Sequence, residues 1–414
     1  MSRHRRRHLA LAGVTAAATL ASGGVAQGFG TGGKVLVNVG GVNSAAAIVK
    51  ASQGRLVLVG STTNADFDFA VTRLLPSGTP DSSFAGDGTV ETDLGGFDSA
   101  SGGAAKGNKV LVAGAVQPTD TFMGAVLQYT AGGTLDNGFS GDGVAVPVLN
   151  GGSFFDDVGV QRDGKVVAVG SAGNRLVVVR LKANGKLDPG FSQDGVTRLK
   201  LKDHTSGEAL AVQHDGRILV SGATAGASMG AKSVPIIARY TSKGGLDKRF
   251  GNNGVALIRG KGFSSISDIA ATAKGVVYAA GSFHRNRLGE SHLAAYSLTP
   301  KGSLNRRFSK DGAASTSFGD DSSGTTVAIQ ADGRVLVGGN IHDPGGDWLL
   351  TRFTAKGKLD KSFSTDGSVS TDFGGGTDFM QSVIALGKGR IAAAGGGAAQ
   401  TAAAVYKRNG SLDG

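Results

Sequence analysis

The chain has 414 residues, a formal net charge of +11 and no cysteine. The missing cysteines exclude disulfides, thiolate metal sites and a thiol nucleophile, and a 40% hydrophobic content argues against a disordered chain. Glycine is abundant at 70 residues, and of the 32 acids only Glu91, Glu208 and Glu290 are glutamate, a balance that favours turns over helices.

Residues 1–27 carry Arg3, Arg5, Arg6 and Arg7 without an acid, then the largely apolar run Leu9–Leu20, then small residues up to Ala26. A basic head, a short apolar middle and a small-residue exit read as a secretory signal peptide cleaved after Ala26. The run is too short to span a membrane, and no later stretch is long enough for a transmembrane span. Arg6-Arg7 leaves the Sec and twin-arginine routes both open. The mature part, 28–414, is expected to be exported, extracellular or in the cell envelope, and periplasmic where the cell has an outer membrane. Basic runs such as Arg198–Lys202 do not interleave with aromatics, so nucleic acid is not an expected partner.

One phrase then recurs to the end of the chain. Leu135-Asp136-Asn137-Gly138-Phe139-Ser140-Gly141-Asp142-Gly143 returns as Leu187-Asp188-Pro189-Gly190-Phe191-Ser192-Gln193-Asp194-Gly195. Its anchors are Phe29, Phe84, Phe139, Phe191, Phe250, Phe308 and Phe363, spaced 52 to 59 residues apart. A second phrase keeps the same rhythm, with its best copies at Asp163–Gly170 and Asp215–Gly222. Each period divides into four short β runs; in the third copy these are Val144–Val148, Asp157–Gln161, Lys165–Gly170 and Leu176–Lys182. Asp163-Gly164 between the middle pair is the dipeptide of a tight hairpin. Four antiparallel strands per 55-residue period make a propeller blade, and the expected fold is an all-β, seven-bladed β-propeller of four-stranded antiparallel blades. The recurring Phe is then an inter-blade plug.

The two ends of the mature chain are complementary. It begins at Gly28-Phe29-Gly30, the second half of the anchor phrase, and ends at Ser411-Leu412-Asp413-Gly414, the first half. Counted around a circle with Asp413 three positions before the next anchor, the step from Phe363 back to Phe29 falls within the range of the internal spacings. The first strand, about Lys34–Val39, is therefore expected to complete the C-terminal blade and close the ring.

The Asp-Gly-Lys/Arg-Val-Val-Ala-Val-Gly pattern, the strand ends Arg239-Tyr240 and Arg352-Phe353, and the Asn-Gly-Lys-Leu-Asp-x-x-Phe-Ser-x-Asp-Gly-Val phrase together resemble the bacterial delta-60 repeat. The resemblance covers about 28–414 and implies an exported protein of propeller-like repeats. It brings no catalytic residue with it. The copies near Asn108, Gly275 and Gly389 depart from Asp-Gly-Lys/Arg.

The position three after each Phe holds Gly32, Asp87, Asp142, Asp194, Asn253, Asp311 and Asp366. A Ca2+ ligand would not survive replacement by Gly, whereas a turn tolerates Asp, Asn and Gly alike. No metal and no cofactor are therefore expected. Gly226-Ala227-Ser228-Met229-Gly230 matches a hydrolase nucleophile elbow in letters, but no helix follows it to expose the Ser. No catalytic residue is assigned.

Counting each blade from the run before its Asp-Gly turn, the connection between second and third strands varies most. It is short at Ser171–Arg175 and Gly396–Gln400, long at Ala223–Pro235, and rich in polar groups at Ser282–His292 and Asn340–Trp348. It shares one face with the blade-to-blade links Ser153–Asp157, Lys202–Glu208, Gly319–Gly324 and Gly374–Asp378. That face is expected to hold His284, Arg285, Arg287, Glu290, His292, His342, Asp343, Asp347 and Trp348. Loops on a rigid scaffold are where binding resides. The expected function is an exported, non-catalytic binding scaffold, monomeric, with a protein or cell-envelope glycan as partner. The alternative is a secreted hydrolase or lyase with its site at the channel mouth; a structural surface protein is a third reading.

Overall fold

Runs of small and β-branched residues, cut by Asp-Gly and Asn-Gly turns, fold as one short antiparallel sheet per repeat. The computed structural model describes residues 28–40, 43–63, 67–227, 232–259, 262–284, 291–316, 321–342 and 345–414; the expected signal peptide, 1–27, lies outside the described residues. Blade 1 comprises Ser44–Lys50, Leu56–Thr63, Phe67–Leu74 and Thr89–Thr92; blade 2, Ser99–Lys106, Lys109–Val116, Met123–Tyr129 and Val144–Ala145. Blade 3 comprises Ser153–Val160, Val166–Ala172, Arg175–Leu181 and Val196–Leu199; blade 4, His204–Val212, Ile218–Ala225, Val234–Tyr240 and Val255–Leu257. Blade 5 comprises Phe263–Ala271, Val277–His284, Ser291–Leu298 and Ala313–Thr316; blade 6, Ser322–Ile329, Val335–Ile341, Trp348–Phe353 and Ser368–Thr371. Blade 7 comprises Phe379–Ala385, Ile391–Gly397 and Gln400–Tyr406, with Lys34–Val37 as its fourth strand.

The result is a seven-bladed propeller of four-stranded antiparallel sheets. The first strands neighbour one another all round the ring, blade 7 against blade 1 included, and wall its axial channel. Closure is by strand exchange. Lys34 pairs with Ala404 and Val37 with Thr401, the Phe29 amide donates to the Asp413 carbonyl at 2.6 Å, and the Val405 amide donates to the Gly33 carbonyl at 2.9 Å. Helix is confined, among the described residues, to the single turns Ser52–Gly54 and Gly387–Gly389, and none is long and apolar enough to cross a membrane.

The core lies between blades. All seven anchor phenylalanines are buried, and each sits in an apolar cluster drawn from its own blade and the next. Phe139, for example, meets Leu111 and Val126 of blade 2 and Val166 and Val177 of blade 3. Burying one such ring contributes about 1.5–3 kcal/mol. The anchor turn is shaped by backbone sterics: Gly143 has φ +92°, and a Cβ there would stand 2.7 Å from that of Leu135. The aspartates three after the Phe serve this turn. Asp87, Asp142, Asp194, Asp311 and Asp366 each accept the amide two residues on, at 2.9–3.0 Å.

A buried cation locks four of the blade contacts. Arg73, Arg180, Arg239 and Arg352 pair with Asp81, Asp188, Asp247 and Asp360 at 2.8–3.0 Å. Each guanidinium lies over its own anchor ring, 4.6–4.7 Å from the centroid. Each also donates to a carbonyl in the next blade, namely Ala131, Ser242, Pro300 and Arg408.

The first strands begin earlier than their sequence suggests. Ser153–Asp157 and Lys202–Glu208, expected to be links, lie largely within the first strands of blades 3 and 4. The reason is a bulge at the same level of every first strand, where register slips past Ala46, Ser101, Asp156, Glu208, Ser267, Thr325 or Gln381. One extra residue inverts the in-out alternation from that point, so a period-two reading detects only the second half of the strand. At the other edge, the run Val144–Val148 contributes only Val144–Ala145 as a paired strand.

Candidate functional site

Each first strand starts at a blade-to-blade link and runs away from it. The links and the second-to-third-strand connections therefore open on one face, and each of these bulges lies within its first strand, at the third to fifth residue. Here the chain gathers three features that carry chemistry.

The first is a cluster of acids on the channel wall. Asp156 and Glu208 are the bulged residues of adjacent blades 3 and 4, half-buried on the channel wall. Burial raises Asp156 to about 7; burial and the nearby Asp156 charge raise Glu208 to about 7. Beside them Asp157 is raised to about 7 by burial, then by Asp268 and Asp156, against the Leu210 amide that its Oδ2 accepts at 2.9 Å. Asp268, raised to about 6 by burial, accepts the Val327 amide of blade 6 at 2.8 Å. Asp157 and Asp268 thus tie neighbouring first strands together, while the Asp156 charge acts on Glu208 across the blade step.

The second is a row of phenyl rings crossing blades 1 to 3. Phe67 stacks on Phe97 with centroids 4.4 Å apart, Phe97 meets Phe122 edge-on at 6.5 Å, and Phe122 lies 4.9 Å from Phe154. Phe97 and Phe154 are exposed by 42% and 43%, unusual for rings of this size. Phe97 belongs to a link, Phe122 to a connecting loop, and Phe67 and Phe154 to strand starts that abut them.

The third is a pair of aspartate triads in equivalent places. Asp68, Asp93 and Asp98 in blade 1, and Asp347, Asp372 and Asp378 in blade 6, each bring three carboxylate oxygens within 4.8 Å of one another. Each triad joins a residue at the start of the third strand, the residue after the fourth, and the residue just before the next blade. Burial raises Asp98 to about 6.

The residues picked from sequence have separate fates. Arg285, Arg287, Glu290 and Asp343 lie outside the described residues. His284 is exposed at the end of its strand, and His342 is exposed with its Nε2 2.9 Å from the Ser323 hydroxyl. His292 and Trp348 are not surface groups. Each sits in the third strand of its blade with its side chain buried, and Trp348 Nε1 donates to the Gly396 carbonyl of blade 7 at 2.9 Å. Trp348 shares its repeat position with Phe69 and Leu176, which pack between blades, so an apolar ring there is drawn inward. Among the described residues Asp347 converges with Asp372 and Asp378, not with a histidine.

Sequence reasoning passed over the channel acids and the phenyl row. A signal for the first was available: Asp156 and Glu208 are 52 residues apart, the interval separating Phe139 from Phe191, so they share a place in adjacent repeats. The phenyl row has no such periodicity, because its members come from three different kinds of segment.

A family model described as a domain of unknown function, DUF5122 beta-propeller, matches residues 52–84, 161–191 and 330–363. Each match runs from the first hairpin turn to the anchor Phe, in blades 1, 3 and 6. No curated protein matches the chain. Among solved structures, a protein of unknown function from Dyadobacter fermentans is 14% identical with a TM-score of 0.46, covering 90% of this chain and 97% of that one. YCF48 bound to D1 peptide is 10% identical, TM-score 0.47, over 90% and 94% of the two chains. Drosophila Plexin A in complex with Semaphorin 1b is 10% identical, TM-score 0.46, over 91% and 87%. The chain is a β-propeller whose blades 1, 3 and 6 carry the repeat that the matching family model describes.

Proposed function

We propose that the protein is an exported, non-catalytic docking scaffold that receives a protein partner on its loop face, across blades 1 to 3. The observation that carries this reading is the phenyl row Phe67, Phe97, Phe122 and Phe154, two of whose rings are exposed by more than 40%. Exposed aromatic rings held by rigid strands supply contact area at little entropic cost, as binding anchors do. Around the row lie the exposed Asp93 and, toward the axis, Asp156 and Glu208. Apolar side chains flanked by basic ones are the complementary chemistry, and they suit a polypeptide better than a glycan. The export part of the reading rests on residues 1–27.

The test compares wild type with Phe97→Ser/Phe154→Ser in capture of envelope proteins and on a glycan array. Because both rings are exposed, melting should be unchanged while capture of a specific protein falls at least tenfold. Undiminished capture, or binding only to glycans, would overturn the reading. The Asp156–Glu208 pair favours one alternative, a hydrolase or lyase with its site in the channel. Turnover of an envelope polymer that Glu208→Gln abolishes, with capture untouched by the Phe substitutions, would establish it instead.

A further inference from the structure

The same positions of the repeat carry opposite chemistry in blades 1 and 4. Counted from the anchor rings Phe84 and Phe250, Pro80, Asp87, Thr89, Glu91 and Asp93 of blade 1 correspond to Leu246, Asn253, Val255, Leu257 and Arg259 of blade 4. Two carboxylates are replaced by neutral side chains, a threonine by a valine, and a third carboxylate by a guanidinium. The backbone is the same in both: the fourth strand pairs with the third in one register, Glu91 opposite Ala70 and Leu257 opposite Ile236.

In blade 4 these residues line a groove of about 400 Å³ at the rim between blades 3 and 4. Leu201 from the link between the two blades, Val234 from the start of the third strand, and Leu246, Val255 and Leu257 give it apolar walls. Leu201 and Leu257 are exposed by 39% and 40%. Adjacent exposed leucines over a concavity of this volume mark a small-ligand site. The groove also has a charged end. Fourth strands run toward the loop face, so Arg259, just past the strand, and Lys202, in the link, both stand at that end. No carboxylate lines the groove, and among the described residues neither cation makes a hydrogen bond or an ion pair. Asp203, next to Lys202 in the chain, accepts the Ala227 amide on Oδ2 at 3.0 Å. From Asn253 to Arg259 the extended chain covers about 20 Å, the scale of an acyl chain. The corresponding rim between blades 7 and 1 is lined by Asp87, Thr89 and Glu91 instead.

We propose that the groove between blades 3 and 4 binds a free fatty acid, its aliphatic chain along Leu201, Val234, Val255 and Leu257 and its carboxylate at Lys202 and Arg259. An aliphatic chain laid there takes its own surface and that of the exposed leucines out of water together. Two cations without a countercharge select an anionic head group over a neutral or cationic one. The carboxylates of Asp87 and Glu91 repel the same head group from the rim between blades 7 and 1. This inference uses neither the docking partner nor the phenyl row and stands without them.

The test is calorimetric titration of the whole protein with sodium dodecanoate below its micellar range. Octanoate, dodecyltrimethylammonium and phosphatidylglycerol vesicles are titrated beside it. Wild type should bind one dodecanoate per chain, at least tenfold more tightly than octanoate or the ammonium. Leu257→Glu, which installs the residue of blade 1 at an exposed position, should weaken dodecanoate binding at least tenfold with melting unaltered. Lys202→Ser/Arg259→Ser should weaken dodecanoate to a similar degree and leave the ammonium no weaker. Leu36→Glu is the control: Leu36 holds the same repeat position in blade 7 and is also 40% exposed, and its replacement should leave binding unchanged. Binding that does not saturate, is confined to vesicles, is equal in wild type and Leu257→Glu, or is lost with Leu36→Glu would overturn the proposal. Should Leu257→Glu fail to fold, dodecanoate affinity unchanged in Lys202→Ser/Arg259→Ser overturns it instead.

Discussion

Asp156 and Glu208 are held half-buried on the channel wall, and the cost of charging them there sets how the protein responds to pH. Asp156, Asp157 and Glu208 titrate near 7 in the folded chain, against about 4 for an exposed carboxyl. The folded state thus keeps protons that the unfolded state has released. The stability this brings is complete below about pH 4 and is lost as pH rises through 7. Asp81, Asp247 and Asp360 act in the opposite sense. Hydrogen bonds from neighbouring Ser and Arg groups, together with the paired guanidiniums, outweigh burial and hold them at about 2, so their contribution is present above about pH 4 and lost as pH falls toward 2. Melting temperature should therefore peak near pH 5 and decline toward pH 8. Asp156→Asn/Glu208→Gln should raise melting by several degrees at pH 8 and leave it unchanged at pH 4. An unaltered decline in that variant would show that the channel acids are not its cause. At this scale the turn aspartates were legible in sequence, because Asp, Asn and Gly exchange freely where a turn needs them. The buried state of His292 and Trp348 was not, because side-chain direction depends on strand phase and the bulges reset that phase.

Between elements, the recurring strand-end Arg and the Leu-Asp of the anchor phrase turn out to be one device. Where Arg is absent, either another cation meets the aspartate or the aspartate itself is replaced. In blade 2, Gln128 replaces it and Asp136 is met by Lys109 at 2.5 Å; in blade 5, Ser297 stands opposite Asn305, whose Nδ2 donates to it at 3.2 Å. In blade 7, Asp413 is paired with Arg390 at 2.6 Å. A lone carboxylate in that place is evidently not tolerated. Arg239→Ser should destabilise the ring by less than about 3–5 kcal/mol, the cost of a wholly unpaired buried charge, because Asp247 keeps Arg217 at 3.1 Å and Arg249 at 3.2 Å. Arg239→Ser/Asp247→Asn, which installs the neutral pair of blade 5, should lose distinctly less. Equal losses in denaturant titrations of the two variants would mean that packing over Phe250, not charge, dominates the clamp. Both phrases were visible in sequence, but the bond between them was not, since the seven intervening residues must first fold to bring the two side chains together.

For the whole molecule, the ends of the chain decide whether the ring is sealed. Lys34–Val37 covers the outer edge of Gln400–Tyr406, and Phe29 fills the cleft between blades 7 and 1. Deleting residues 28–40 should leave a bare strand edge and an empty plug site, and the protein should self-associate and melt earlier. A deletion variant that elutes as a monomer and melts like the full chain would disprove closure by this strand. The number of blades, the four strands in each and the joining of the ends were determined by the sequence alone. They follow from short-range rules, a glycine or aspartate where the backbone turns and a phenylalanine once per turn, and a repeated rule needs only counting. What faces what was decided by the tertiary structure: the channel acids, the phenyl row and the aspartate triads. Those neighbours are brought together by the curvature of the ring and the one-residue slip in each first strand, and neither is written in any contiguous stretch of residues.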